Sequence, residues 1–309
     1  MKKLAQEMVA RAQAAPDSIA VIDEFGSHTL RTIVDAARAL ADRIAVIDEA
    51  PPTALIQADN TWHTLATALA VGMRGGLVAV FSPHATESEF ELAIEDIAPD
   101  IIIGDPAALA HWGVDTERFP VSGQAFETRL LRSGPKRSGT GGFGDINRWN
   151  GGTAIAMTSG STGRPKCVVQ SEDAIRYACR CTIDTVGLQP GDAIGAFVPL
   201  SSVAAFCFGM YLPAYLGGSL VAIGQWSPAA AVDAMAKHAV AWTMLVPTMA
   251  LQLSVTEGSD GRLSNVRALT VGGGPMNERA LENAETTLGT TFLRAVSYTH
   301  LTLPTICSV

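Results

Sequence analysis

Short apolar runs alternating with helix-like segments constrain this chain more than any other feature of its sequence. Ala20–Ile22, Thr53–Gln57, Leu77–Phe81 and Ile101–Gly104 read as strands. Between them, Thr29 caps a segment whose apolar spacing runs through Ile44. A second helical segment runs from Thr61 to Arg74 and is stopped by Gly75 and Gly76. A third, acidic one follows the loop Ser82–Thr86 and spans Glu87 to Ile97. Strands alternating with helices of this length predict an α/β fold of layered, mostly parallel β-sheets flanked by helices.

The rhythm is lost after Pro120 and resumes near residue 151. Strands are predicted at Thr153–Met157, Ala193–Phe197, Gly217–Ala222, Trp242–Leu245 and from Leu269 into three glycines. Helices are predicted at Glu172–Val186, Val203–Met210, Pro228 to about His238, and Glu278–Leu288, with Val246–Met249 as a turn. Residues 1–131 therefore form a predicted first α/β subdomain and residues 151–295 a second. The basic, Gly/Ser-rich residues 132–150 connect them, either as an anion-contacting loop or, preferably, as a solvated linker.

One stretch carries concentrated chemistry. Thr158-Ser-Gly-Ser-Thr-Gly-Arg-Pro-Lys166 follows directly on an apolar strand. Gly160 and Gly163 can take positive φ and let a ligand reach the backbone amides. Thr158, Ser159, Ser161 and Thr162 supply hydroxyl donors, and Lys166 a charge able to bind an anion. A strand running into such a loop is a common way to build a phosphate nest. It is not a Walker A loop: Pro165 stands where that motif needs glycine, and Cys167 where it needs a hydroxyl. Pro165 also turns Arg164 away from the α region, so Lys166 is not expected to open a helix.

Composition excludes several classes. Apolar residues make up 48% and charged residues 17%, which is globular and not disordered. A net charge of −8 argues against a nucleic-acid partner. The five cysteines, at 167, 179, 181, 207 and 307, lack a zinc-like spacing and suit a reducing, cytoplasmic location. The N-terminal run lacks the apolar centre of a signal peptide. Ala193 to Val232 contains no charged residue, yet Pro199, Pro213 and Pro228 cut it into pieces, so buried core is expected and no transmembrane span.

TSGSTGRPK resembles, over all nine residues, the phosphate-binding signature of the adenylate-forming superfamily: acyl-CoA synthetases, peptide-synthetase adenylation domains and beetle luciferases. The "TLR" start at Thr29, the helix headed by Asn60 and "KHAVAWTMLVPTM" at 237–249 resemble the same family. The likeness implies that Thr158, Ser159, Gly160, Ser161, Thr162, Gly163 and Lys166 hold ATP phosphates. It implies that Gly272, Gly273, Gly274 and Pro275 carry the adenine, and that Ser202, Val203, Phe208 and Gly209 border an acyl pocket. Ser202 stands where relatives place an aromatic residue or histidine, and Val203–Met210 also fits plain core. His238 reads as a helix cap.

The implied function is an acyl-CoA synthetase for an aliphatic or aryl acid, using ATP, magnesium and coenzyme A. An amino-acid adenylation domain and a non-catalytic nucleotide-binding protein stand as alternatives. The likeness covers residues 10 to 295. Beyond them, Val296–Val309 reads as a translated sequencing adapter, so Tyr298 and His300 receive no role. The family's Thr-Glu motif and C-terminal lysine are then expected outside the chain, with no catalytic residue or metal ligand within it and no activity from this chain alone.

Overall fold

The computed structural model describes residues 1–135, 142–158, 166–257, 259, 261–274 and 277–295. Its strands in chain order begin with β1 (Ile19–Asp23), β2 (Gly26–Thr29), β3 (Thr53–Gln57), β4 (Leu77–Phe81), β5 (Ile101–Gly104), β6 (Val121–Ala125) and β7 (Arg129–Ser133). They continue with β8 (Gly152–Thr158), β9 (Lys166–Ser171), β10 (Ala193–Ala196), β11 (Leu220–Ala222), β12 (Val240–Leu245), β13 (Ala268–Gly272) and β14 (Thr291–Ala295).

These strands form two sheets. One has the order β6-β7-β5-β3-β4-β8-β9, the other β14-β13-β12-β10-β11-β1-β2. Pairing is parallel from β5 through β8 in the first sheet and from β14 through β1 in the second. The hairpins β6–β7, β8–β9 and β1–β2, and the β5–β7 pair, are antiparallel. Sheet membership does not follow chain order. β1 and β2 join the later strands, and β8 and β9 join the earlier ones.

Helices fill the space between the sheets and cover their outer faces. In β4, Val78 and Val80 face the central core, while Leu77, Ala79 and Phe81 pack outward on Phe90, Ile94 and Trp112. β3 and β5 alternate in the same way, with Leu55 and Ile102 outward. Strands covered on both faces are apolar through their middles, which is why these runs lack a polar side, with Thr53 and Gln57 at the two ends of β3. The helix Trp62–Met73 lies in the central layer and is buried continuously from His63 to Gly72. Beyond the second sheet, Ala231, Met235, Leu253 and Leu281 form a further core with Leu269 and Val271 of β13.

Local signals explain the well-read elements. Thr29 accepts a hydrogen bond from the Thr32 amide and starts the helix Leu30–Ile47. Thr86 and Glu89 form a reciprocal capping box at Glu87–Ile97. Glu172–Val186 and Glu278–Leu288 take the bounds read from sequence. Other segments differ. Pro247 opens a helix, Pro247–Ser254, where a turn is predicted, because proline is well tolerated in a first turn. The apolar run from Val203 is not one regular helix: Val203–Ala205 is α-helical, Phe206–Tyr211 widens to π geometry, and Leu212–Leu216 returns to α with Pro213 in its first turn. Arg132 and Ser133 belong to β7, and Arg132 is buried with Nη1 donating to the Phe119 carbonyl at 2.6 Å. Among the described residues, no helix is long and apolar enough to cross a membrane.

Candidate functional site

Parallel α/β sheets expose loops and free backbone groups at the C-terminal ends of their strands, where ligands collect. Here those ends from the two sheets converge. Asn60, three residues past the end of β3, donates from Nδ2 to the carbonyls of Ala196 (2.9 Å) and Val198 (3.3 Å) at the end of β10. Its Oδ1 accepts from the Leu200 amide at 2.9 Å. β8 is parallel to β4 and β3, and β12 and β13 are parallel to β10, so their ends share this side.

β8 ends at Thr158, paired directly with Lys166 at the start of β9. Lys166 is exposed and in strand geometry, as expected of a lysine that does not open a helix. The hairpin therefore holds the two ends of TSGSTGRPK in fixed register. Ser159, Gly160, Ser161, Thr162 and Gly163 lie outside the described residues.

β13 ends in Gly272, paired with Ala295 of β14. Gly273 has φ +82°, a left-handed conformation that suits glycine, and among the described residues a Cβ built there would meet only Val246, at 3.8 Å. Gly274 lies beside Pro247, and Pro275 is outside the described residues. The turn is a bare backbone shelf flanked by the ends of β12 and β14.

The remaining candidates line the segment that leaves β10. Ser202 caps Val203–Ala205, its hydroxyl accepting from the Ala205 amide at 3.2 Å. Val203 is half-buried, and the short helix it starts packs on β8. Phe208 is half-buried and meets Trp242 edge-on, with ring centres 6.1 Å apart. Gly209 is buried, and a Cβ there would come within 3.1 Å of Leu200 and 3.3 Å of Ala196. The Trp242 Nε1 donates to the Thr270 hydroxyl at 2.9 Å. Thr270 lies between Met244 and Leu293 in one cross-strand row, all three half-buried. His238 is the C-cap of Pro228–Lys237, where burial pushes its pKa down.

Sequence reasoning missed a polar knot behind Asn60. Arg129 is 2% exposed; its Nη2 pairs with the Asp59 carboxylate and its Nη1 donates to the Gln57 carbonyl at 3.1 Å. Gln57 Nε2 donates to Asp59 (2.9 Å) and Asp105 (2.8 Å), while the Asp105 amide donates back to Gln57 Oε1 at 2.8 Å. Thr61 donates to Asp59 at 2.6 Å. Beside this knot, Trp62, His63, His28, Phe25 and Phe126 form an aromatic cluster. Burial, aided by Arg129, holds the His63 pKa down to about 4. A polar Gln-x-Asp-Asn at the end of an apolar strand was the available signal; its arginine lies 70 positions away in a segment without helical rhythm.

No group of three His, Cys, Asp or Glu side chains is placed to hold a metal among the described residues. Among the described residues, the arrangement therefore brings the Thr158–Lys166 pair to one edge, and the turn Gly272–Gly274 and an apolar wall to another.

Comparisons with known proteins agree with this layout. The model of the family described as AMP-binding enzyme matches residues 8–299. A long-chain-fatty-acid–CoA ligase of Thermus thermophilus is 26% identical over 236 residues, covering 69% of this chain and 41% of the ligase. A probable non-canonical nonribosomal peptide synthetase of Salinispora arenicola is 25% identical over 269 residues, covering 85% of this chain and 3% of the synthetase. The o-succinylbenzoate coenzyme A synthetase of Bacillus subtilis, in complex with ATP and magnesium, superposes with a TM-score of 0.75 at 19% identity. That superposition covers 94% of this chain and 59% of the synthetase, so the chain spans well under two thirds of these relatives' lengths.

Proposed function

The chain belongs to the AMP-binding enzyme family, and from that premise we propose that its chemistry is the ATP-dependent activation of a carboxylic acid. The acid's carboxylate oxygen attacks the α-phosphorus of ATP. The bond to the β-phosphate oxygen breaks, pyrophosphate leaves and an acyl-AMP mixed anhydride forms. A thiol, in this reading that of coenzyme A, then attacks the acyl carbonyl and AMP departs. Little covalent help from the protein is needed; positioning and charge neutralisation do most of the catalysis.

The observation that carries this reading is the β8–β9 hairpin, which fixes Thr158 opposite Lys166 at the sheet end shared with the glycine shelf. In it, Thr158, Ser159, Gly160, Ser161, Thr162, Gly163 and Lys166 hold the β- and γ-phosphates. Gly272, Gly273, Gly274 and Pro275 lie along the adenine. Ser202, Val203, Phe208 and Gly209 form the acyl side. Magnesium enters with the ATP phosphates, the usual mode for an ion that keeps few protein ligands. In this account the division at residues 132–150 is one of chain order, since each sheet takes strands from both sides of it; residues 296–309, read from the sequence as an adapter-like tail, lie outside the described residues.

The similarity to a peptide synthetase keeps amino-acid adenylation as a second reading. An amino acid would call for a carboxylate near its ammonium, and no Asp or Glu occurs between Ala193 and Val232. An acid without an amine is the better fit. Calorimetric titration of the chain with ATP and with AMP tests the nucleotide site. Lys166→Ala should weaken ATP about tenfold or more, the loss of one charge-assisted bond, and leave AMP nearly unchanged. Equal effects on both nucleotides, or none, would reject Lys166 as a phosphate ligand.

A further inference from the structure

We propose that Asn60 is a positioning residue that sets the acyl-side wall of the cleft from the opposite sheet, and so tunes which acid is accepted. This rests on the functional reading above and deepens it.

The segment Phe197–Ser202 leaves β10 without a strand partner, so its backbone groups need other partners. One side chain supplies two of them and ties the last residue of β10 as well. Asn60 Nδ2 serves the Ala196 and Val198 carbonyls and Oδ1 serves the Leu200 amide. Two carbonyls and one N–H face the amide, so only one of its two flipped orientations satisfies all three. The residue that makes these bonds is itself held on its N-terminal side. Arg129, Gln57 and Thr61 converge on Asp59, and Thr64 Oγ donates to the Asp59 carbonyl at 2.7 Å. Asn60 is thus a rigid arm of the first sheet reaching into a wall of the second.

The effect passes to the acyl side through packing. Leu200, fixed by its amide, lies where a Cβ on Gly209 would come within 3.1 Å. Gly209 is in the π-helical turn Phe206–Tyr211, beside Phe208 and its edge-on contact with Trp242. From Pro199, the turn closed by the Ser202 amide on the Pro199 carbonyl (3.0 Å) leads into the Ser202 cap. A shift of Leu200 therefore moves Phe208 and the Ser202–Val203 corner together, while the glycine shelf at the end of β13 is held separately by β12 and β14. A loss confined to the acyl arm is the signature of such a wall.

The test uses the full chain and two kinds of probe: AMP alone, and N-benzoylsulfamoyl and N-octanoylsulfamoyl adenosine, which add an acyl arm. For Asn60→Ala, AMP affinity should stay within about twofold, and the gain from the better acyl arm should shrink about tenfold. Hydrogen exchange should quicken in peptides spanning 197–202 and not in those spanning 268–272. Asn60→Asp, which keeps an acceptor for Leu200 but gives up both donors, should fall between and serves if the alanine variant does not fold. An unchanged acyl gain, a parallel loss of AMP, or unaltered exchange at 197–202 overturns the proposal while leaving the nucleotide site standing. A wild-type chain that binds AMP no better than adenosine-free buffer overturns the functional reading, and this inference with it.

Discussion

His63 should make this fold lose stability on mild acidification. It is 5% exposed, packed among Trp62, Phe25 and Phe126, with Nδ1 3.1 Å from the Thr61 hydroxyl. Burial is the main cause of its lowered pKa; Arg129 and His28 add to it, and Asp59 and Asp23 oppose it. The folded value is about 4 against an ordinary 6.5. Above 6.5 neither state holds the proton, so the His63 contribution is constant. Between 6.5 and 4 the unfolded chain binds a proton that the folded chain refuses, and stability falls as pH falls. Below about 4 this contribution is fully lost, which at roughly 1.4 kcal/mol per pKa unit amounts to at most about 3.5 kcal/mol. His238, also lowered by burial and then by Lys237, acts in the same direction as pH falls below 6.5. Asp48 and Asp105, whose pKa values lie below the ordinary 3.8, come into play only at more acid pH. Urea unfolding followed by tryptophan fluorescence, from about pH 7.5 down to about 4.5, measures the slope. His63→Gln, near in size and able to bond Thr61, should flatten most of it. An equal slope in wild type and variant, or stability that rises on acidification, would refute the assignment.

Two further perturbations probe the site's framework. Arg129→Ala strands the Asp59 carboxylate and should cost about 3–5 kcal/mol in urea unfolding, as breaking a buried pair does; a cost under about 1 kcal/mol would mean Asp59 is fully hydrated. Gly273→Ala forces a side chain to φ +82°, a strain of about 1 kcal/mol, and covers the shelf. It should weaken AMP binding severalfold in calorimetry while barely moving the unfolding midpoint, and unchanged AMP affinity would remove the shelf from the nucleotide site.

What was legible in the sequence was local. Thr29, Thr86 and Asn277 announce helices because each side chain bonds an amide three residues on. Thr53–Gln57 and Leu77–Phe81 announce buried strands because both their faces are covered. The glycines of 272–274 mark a turn because Gly273 needs positive φ. Long-range choices left no such mark. β1 pairs with β11 some two hundred residues later, and nothing within Ile19–Asp23 specifies that partner. Arg132 read as part of a solvated connector because charge normally is, and Arg129 drew no reading; their burial depends on the Phe119 carbonyl and on Asp59, which only the fold brings near. The basic stretch 132–150 likewise hides two ties, the Phe143 amide to Asp48 at 2.9 Å and the Gly144 amide to Asp100 at 2.8 Å. Asn60 was visible as the head of a helix, but its three bonds to β10's far end were not.

The central claim is acid activation at the β8–β9 hairpin, and its most direct test is ATP–pyrophosphate exchange. The protein read through its full coding length should exchange labelled pyrophosphate into ATP only when a suitable carboxylic acid is present, with amine-free acids preferred over amino acids. Lys166→Ala should slow that exchange at least tenfold, the worth of one charge-assisted bond. Nucleotide binding without exchange for any acid in a broad aliphatic, aryl and amino-acid panel would contradict the account and leave a nucleotide-binding protein in its place.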